Sequence, residues 1–185
     1  EARRLLDAAK RYAARGVPIV GLEPSCLLGL RDEIPALFPG ADSAQVAGHA
    51  WLFEEFLARE IDAGRLTGPI GQRTGHVLLH GHCHQKSFGA MKAVSMVLSC
   101  VEGLSVEQIQ SSCCGMAGAF GYAAETYEIS KKMGELSLLP AVRKTPADSL
   151  IAADGFSCRH QILEGSGRQA KHVAVILREA LVGAA

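Results

Sequence analysis

The chain has 185 residues, an apolar fraction of 48%, a charged fraction of 21% and a formal net charge of zero. That length buries one ordinary core, or one domain plus part of another. The balanced charge and the lack of any basic run point away from nucleic acid and membrane surfaces, and no apolar run reaches the ~20 residues of a membrane span. The first residues, Glu1-Ala2-Arg3-Arg4-Leu5-Leu6, read as the middle of a helix with no signal-like start, so we expect an excised piece of a longer polypeptide.

In chain order, Leu5, Leu6, Ala9, Tyr12 and Ala13 have helical spacing over residues 1–15, and Gly16 stops the helix. Val17–Leu22 reads as a buried strand running into Glu23-Pro24-Ser25-Cys26, followed by a short helix over Leu27–Leu37 that Pro35 limits. The turn Pro39–Ser43 caps a helix predicted over Ala44–Ala63, with Trp51, Phe53 and Phe56 as core packing. Gly64–Gly75 is a glycine-rich loop at a lobe boundary. His76–Gly81 is a second strand, His82-Cys83-His84 follows its end, and Gln85–Ser99 is an amphipathic helix closed by Cys100. Val106–Ile109 is a short strand leading into Ser111-Ser112-Cys113-Cys114-Gly115. Gly115–Gly121 is glycine-rich, and Ala124–Leu139 is helical. Ser149–Ala153 is the last strand, ending in Asp154-Gly155-Phe156-Ser157-Cys158, and a helix through Val173–Leu181 closes the chain.

Alternating strands and helices imply an α/β fold with a parallel, helix-flanked sheet. In such sheets the carboxyl ends of the strands share one edge, where ligands bind. Cys26, Cys83, Cys113, Cys114 and Cys158 each follow a predicted strand, so the fold is expected to gather their thiols at that rim. The sixth cysteine, Cys100, lies outside the pattern and reads as a core thiol. Ile19–Cys26 and Ile151–Cys158 echo each other, which suggests two related lobes, the first lacking its front part. The expected division is residues 1–68, the end of a first lobe, and residues 69–185, a complete second one.

Vicinal Cys113 and Cys114 are poor disulfide partners, since a bridge needs Cα atoms farther apart than one peptide allows without strain. Adjacent thiolates repel unless a cation neutralises them, so the pair points to a metal. Without a secretory signal, metal or redox chemistry is the natural use of six cysteines. His82 and His84 flank Cys83 and are further candidate ligands, and Zn²⁺ accepts such mixed thiolate and imidazole sets. His80 and His160 are as readily explained by turn hydrogen bonds. Lys86 and Arg159 are placed to offset thiolate charge or to lie on the surface. Nucleophilic catalysis by Cys83 beside a histidine is a third class, without an accompanying acyl-transfer motif.

The pattern Cys83…Cys113-Cys114-Gly115…Cys158 resembles the cysteine-rich CCG domain family, of the type found in the B subunit of heterodisulfide reductase and in the iron-sulfur subunit of glycolate oxidase. The likeness is nearest to the carboxyl-terminal iron-sulfur oxidoreductase region of large FAD-linked oxidases, through His80–Lys86, Cys113–Gly121 and Asp154–Arg159, with Glu23–Cys26 resembling the end of a preceding repeat. The resemblance implies an iron-sulfur electron-transfer module in a 2-hydroxy-acid oxidase-like oxidoreductase, incomplete as a catalyst by itself. Cys83, Cys113, Cys114 and Cys158 would hold a cluster of the [4Fe-4S] kind, with Cys26, His82 and His84 as additional candidates. FAD would lie in the parent protein outside this fragment. The partners would be that flavin-containing region or subunit and an electron acceptor, with no nucleic acid and no transmembrane segment. A cytoplasmic location follows, peripheral to the inner membrane through partners. The sequence departs from the family's C-x-x-C at Gln161, where a fifth cysteine would stand. The alternative is zinc in a structural or partner-docking module with no redox role of its own.

Overall fold

The structure, a computed structural model, describes residues 1–182. Helix α1 (Ala2–Ala13) leads into strand β1 (Ile19–Gly21), the short helices α2 (Pro24–Leu28) and α3 (Glu33–Leu37), and α4 (Ala41–His49). Strand β2 (Ala50–Leu52) then pairs in parallel with β1, Ile19 opposite Ala50 and Gly21 opposite Leu52. Leu6, Leu28, Val46 and Leu52 are fully or almost fully buried around this small sheet, and Phe88 and Ala90 from farther along the chain join the same core.

Helix α5 (Phe53–Asp62) carries the chain to β3 (Gln72–His80). Helices α6 (Cys83–Ser87) and α7 (Met91–Ser99) lead to β4 (Glu102–Gln108). A glycine-rich turn and a 3₁₀ turn at Phe120–Tyr122 precede α8 (Tyr127–Glu135), α9 (Leu138–Lys144), β5 (Leu150–Ala153), α10 (Phe156–Ser166), β6 (Ala170–Lys171) and α11 (Val173–Val182). The four later strands form an all-parallel sheet in the order β4-β3-β5-β6. The α/β class with parallel, helix-flanked sheets is as expected.

Both faces of the larger sheet are covered, as parallel sheets require. Val77, Leu79 and Ala152 meet Val94, Val97 and Leu98 of α7, Ile176 and Leu177 of α11, and Ala58 of α5. On the opposite face, Leu78, Ile151 and Ala153 meet Leu138 and Val142 of α9 and Ile162 of α10. The alternation of Leu78 and Leu79 between the two cores is the period-two signature of a strand buried on both sides. Successive crossovers run from β3 to one neighbour, β4, and then to the other, β5. The order therefore reverses between β3 and β5, and a crevice opens beyond their carboxyl ends.

Several local expectations are corrected. The helix expected over 44–63 is interrupted by β2, because pairing of Ala50-Trp51-Leu52 with β1 outweighs a locally helical pattern. Trp51 and Phe56 are half-buried with the Arg59 guanidinium 4.9 and 4.8 Å from their ring centroids, while the deeply buried side chains here are Leu52 and Glu54. The helix expected over 85–99 breaks at Phe88–Ala90, where Gly89 has φ of +70°, and the helix expected over 124–139 divides between α8 and α9. The stretch 27–37 holds two short helices, β4 begins four residues earlier than expected, and β6 is an additional strand. Cys100 caps α7, half-buried against the core.

Candidate metal centre

Three of the strand-end turns meet at the crevice. Beyond β3, His82 caps α6: its Nδ1 accepts the His84 amide at 3.2 Å, and Gln85 Oε1 accepts the His82 amide at 3.0 Å. Cys83 is thereby fixed in the first turn of the helix, exposed, with Sγ 3.9 Å from His82 Nδ1. Beyond β4, the segment Ser111–Gly115 wraps over the crevice and is pinned by Lys86, whose ammonium donates to the carbonyls of Ser111 and, at 2.7 Å, Ser112. Beyond β5, Cys158 lies buried in the first turn of α10. Arg159 holds the end of β5 through the carbonyls of Ala153 (3.0 Å) and Asp154, so neither cation called out by the sequence is idle on the surface.

Two glycines make the close approach possible. Gly115 has φ of +99°, and a Cβ there would stand 2.2 Å from the Ser130 carbonyl oxygen. A Cβ at Gly155 would stand 2.5 Å from the His82 ring and 3.2 Å from Cys158 Sγ. Gln161 lies three residues after Cys158 on α10. Its amide nitrogen, fully buried, donates to the Cys114 carbonyl at 2.9 Å and to the Ser130 carbonyl at 3.1 Å, tying the Cys-Cys-Gly turn to α8 and α10.

The four thiols neighbour one another in the order Cys83, Cys113, Cys114 and Cys158. Cys113 is held down at about 2 by its thiol neighbours Cys114 and Cys83, helped by the Gly115 amide, which donates to its sulfur at 3.3 Å. Cys158 is held well below the usual thiol range, first by its neighbour Cys114 and also by nearby His80. Cys83 and Cys114 are pushed up, first by the neighbouring Cys113 and then by desolvation, with Cys158 adding to the effect at Cys114. A cation that bound the four sulfurs would displace whatever protons they carry.

His80 Nδ1 faces Ser111 Oγ at 3.0 Å, whereas its buried Nε2 meets no hydrogen-bond partner among the described residues and lies on the cysteine side of the strand end. His84 Nδ1 is likewise buried and unpartnered among the described residues, with its ring set edge-on to His82 at 5.5 Å. Burial lowers the pKa of His82 below the ordinary imidazole value. Unpaired imidazole nitrogens at a rim that gathers thiols are the chemistry of a site that accepts a soft or borderline metal. The residues present fit a metal cluster: four sulfur donors, an amide hydrogen bond to Cys113, and Lys86 close by.

Cys26 stands apart. It is exposed on α2 and is not among the neighbours that shift the other four rim thiols. Its neighbour Glu23 is nonetheless built into the rim, since Glu23 Oε2 accepts the Phe156 amide at 2.9 Å and caps α10. His160 serves a different purpose, bridging Tyr122 Oη (3.0 Å) and Glu164 (2.9 Å) on the surface.

Sequence reasoning missed the supporting polar groups. Gln85 Nε2 donates to Asp154 Oδ2 at 2.7 Å, so one side chain braces both the β3 and β5 turns. It also missed the convergence of Glu54, Asp154 and His172, the one trio of histidine, cysteine or acidic residues among the described residues whose ligand atoms all lie within 4.8 Å of one another. A glutamate in an amphipathic pattern gives no warning that it is buried. The Glu54 carboxyl is pushed well above the usual range, chiefly by burial and then by the Asp154 charge.

Comparison with known proteins brings relatives but no family: no protein-family model and no solved structure matches the chain. The chain is 29% identical to the C subunit of anaerobic glycerol-3-phosphate dehydrogenase from Escherichia coli over 167 residues, which is 90% of this chain and 41% of that protein. It is 28% identical to D-2-hydroxyglutarate dehydrogenase of Escherichia coli over 179 residues, and 29% identical to that of Pantoea ananatis over 186. Those matches cover 96% of the chain but 17% of each dehydrogenase. The chain is therefore similar to parts of larger dehydrogenase polypeptides and subunits, spanning about two fifths of the former relative and about one sixth of the latter two. Among the described residues, no helix is long and apolar enough to cross a membrane.

Proposed function

We propose that this chain is an iron-sulfur electron-transfer module of an FAD-linked 2-hydroxy-acid dehydrogenase, with Cys83, Cys113, Cys114 and Cys158 holding one cluster, of the [4Fe-4S] kind. The observation that carries the reading is the joining of four thiols, from three separate strand ends, into one series at the switch point of a parallel sheet. The names of the relatives, a dehydrogenase subunit and dehydrogenases many times longer than the matched segment, support a module that works beside a flavin-bearing region. The division into the end of one cysteine-rich unit before residue 69 and a complete unit after it belongs to the same proposal.

A bound cluster would supply one-electron transfer. The chain's own residues prepare the place for it. The pKa values of Cys113 and Cys158 are lowered, the Gly115 amide donates to Cys113, and the first turn of α10 presents Cys158 at a helix amino end. Lys86 holds the Cys-Cys-Gly turn down and places a positive charge next to the sulfurs. Burial of Cys114 and Cys158 keeps water from two of the four ligands, while exposed Cys83 faces the direction from which a partner could exchange electrons.

Zinc is the second reading, favoured by the unpartnered imidazole nitrogens of His80 and His84. Against it, a single tetrahedral zinc with Zn–S bonds of about 2.3 Å needs its sulfurs about 3.8 Å apart in every pair. Among the described residues, no three cysteine or histidine donors lie mutually within even 4.8 Å, and the thiols follow one another in series. Iron, sulfide and zinc analysis of protein prepared without oxygen decides between the two. About four irons and four sulfides per chain, falling to background in Cys113→Ser, are expected. A colourless protein with one zinc per chain would overturn the cluster, and electron transfer by a parent enzyme that survives Cys113→Ser would reduce the region to a scaffold.

A further inference from the structure

We propose that Glu54, Asp154 and His172 form a second metal site, for a first-row divalent cation, where the strand ends of the two sheets meet. Each of the three follows a strand: Glu54 is the second residue of α5 after β2, Asp154 comes directly after β5, and His172 directly after β6. One ligand atom from each lies within 4.8 Å of the other two. The site is separate from the four thiols and does not depend on the reading given to them.

Glu54 makes the case. Its side chain is 0% exposed, and neither carboxyl oxygen has a hydrogen-bond partner among the described residues. A buried carboxyl group without partners is one of the costliest arrangements in a protein interior, so something must complete it. Its two neighbours offer acceptors only. Asp154 Oδ1 accepts the Val173 amide at 3.0 Å and Oδ2 accepts from Gln85 at 2.7 Å, each oxygen retaining a lone pair. His172 Nε2 lies 2.8 Å from the Leu22 carbonyl, an acceptor, so Nε2 carries the hydrogen and Nδ1 carries none. A histidine whose tautomer is set by a carbonyl on its far nitrogen is the arrangement that surrounds metal-bound imidazoles.

His172 Nδ1 therefore faces Asp154 Oδ1 at 3.5 Å, acceptor against acceptor, with Glu54 completing the triangle. A proton can join two of these groups, whereas a cation serves all three. Ligand bonds of about 2.1 Å put neighbouring tetrahedral ligands about 3.4 Å apart, close to the observed separation. The Ala174 amide also points at Nδ1, at 3.0 Å, and would give way to a cation at that single lone pair. Two carboxylates and one imidazole suit Mn²⁺, Fe²⁺ or Zn²⁺ better than Ca²⁺ or Mg²⁺, which prefer oxygen alone. The His172 side chain, 10% exposed, is the edge of the site nearest solvent. A cation there would fasten α5 to β5 and β6. Through Asp154 and Gln85 it would also steady the His82–Cys83 turn.

Mn²⁺ is the probe, because carboxylate and imidazole hold it and thiolates compete for it poorly. The chain, stripped with a chelator, is titrated while the electron paramagnetic resonance signal of free Mn²⁺ is followed. One Mn²⁺ per chain is expected, unchanged in the double variant Cys113→Ser/Cys158→Ser and weakened at least tenfold in both Glu54→Gln and His172→Gln. Mn²⁺ should also raise the melting temperature of the unaltered chain and of the cysteine variant, but not that of Glu54→Gln. The proposal is overturned if the folded chain takes up no Mn²⁺ saturably, if uptake survives both substitutions, or if it disappears with the cysteines. A melting temperature that rises in Glu54→Gln while the unaltered chain binds no Mn²⁺ would identify Glu54 as a protonated acid and equally overturn it.

Discussion

Replacing Gln161 with alanine should destabilise the metal-free chain by about 2–4 kcal/mol, although Gln161 touches no ligand atom. The number comes from counting hydrogens. The amide nitrogen lies 2.9 Å from the Cys114 carbonyl, 3.1 Å from the Ser130 carbonyl and 3.2 Å from Ser130 Oγ, but it owns two N–H bonds, so two contacts count at full strength. Each buried acceptor stranded by the loss costs about 1–3 kcal/mol, and partial relaxation of the turn brings the pair to about 2–4 kcal/mol. For a chain of this length that is a fall of roughly 4–16 °C in melting temperature. Urea titration followed by circular dichroism measures it, with the slope checked against the unaltered chain so that a changed denatured state is not mistaken for lost stability. Because the carbonyl released is that of Cys114, iron retention should weaken alongside stability. A loss below about 0.5 kcal/mol, within the range of ordinary surface substitutions, would refute the clamp.

Other outcomes follow from the same geometry. Gly115→Ala places a methyl group 2.2 Å from the Ser130 carbonyl oxygen at φ of +99°, and should cost about 3 kcal/mol or more in a thermal melt. Cys158→Ser should abolish iron incorporation while Cys26→Ser leaves it intact, since Cys158 is buried within the thiol series and Cys26 is exposed outside it; equal loss in both would show that the first lobe supplies a ligand. Glu179 receives Lys171 at 2.7 and 2.8 Å and Arg73 at 2.7 Å, joining α11 to β6 and to the start of β3. Its carboxyl is held below the usual range, by Lys171 first and Arg73 after burial's opposing effect. A lowered folded value means that the stabilisation is complete above the unfolded carboxyl range and is lost as pH falls through the folded one. Stability of Glu179→Gln should therefore decline less steeply over that acidic window, as acid titrations at fixed urea would reveal; parallel curves would exclude the contribution.

Much of the fold was legible because its signals are local. The run His76-Val77-Leu78-Leu79-His80 is apolar on both strand faces, and the structure buries Leu78 and Leu79 in opposite cores. Gly16, with φ of +74°, ends α1 where a helix stop was read. The helix boundaries that failed share one cause. Ala50-Trp51-Leu52 is helical in spacing and becomes a strand only because β1 lies alongside, a contact between segments about thirty residues apart. Gln85–Ser99 and Ala124–Leu139 likewise conceal breaks that tertiary packing imposes.

For the candidate site, the amino-acid sequence determined the donor inventory: a vicinal Cys113-Cys114 pair before an obligatory glycine, and cysteines just beyond the ends of β3 and β5. Adjacency and strand-end position are properties of the chain itself, and they suffice to say that thiols converge on one rim. Only the tertiary structure decided which of them meet. It ordered Cys83, Cys113, Cys114 and Cys158 in series, left Cys26 outside, and turned Gln161 from a missing ligand into the clamp on the Cys114 carbonyl. It also buried Glu54 against Asp154 and His172, residues about a hundred positions apart that no periodicity connects. The physical reason is the same throughout. Patterning reports which face of an element is buried, whereas the hydrogen bonds and charges across the crevice depend on how separate elements are docked.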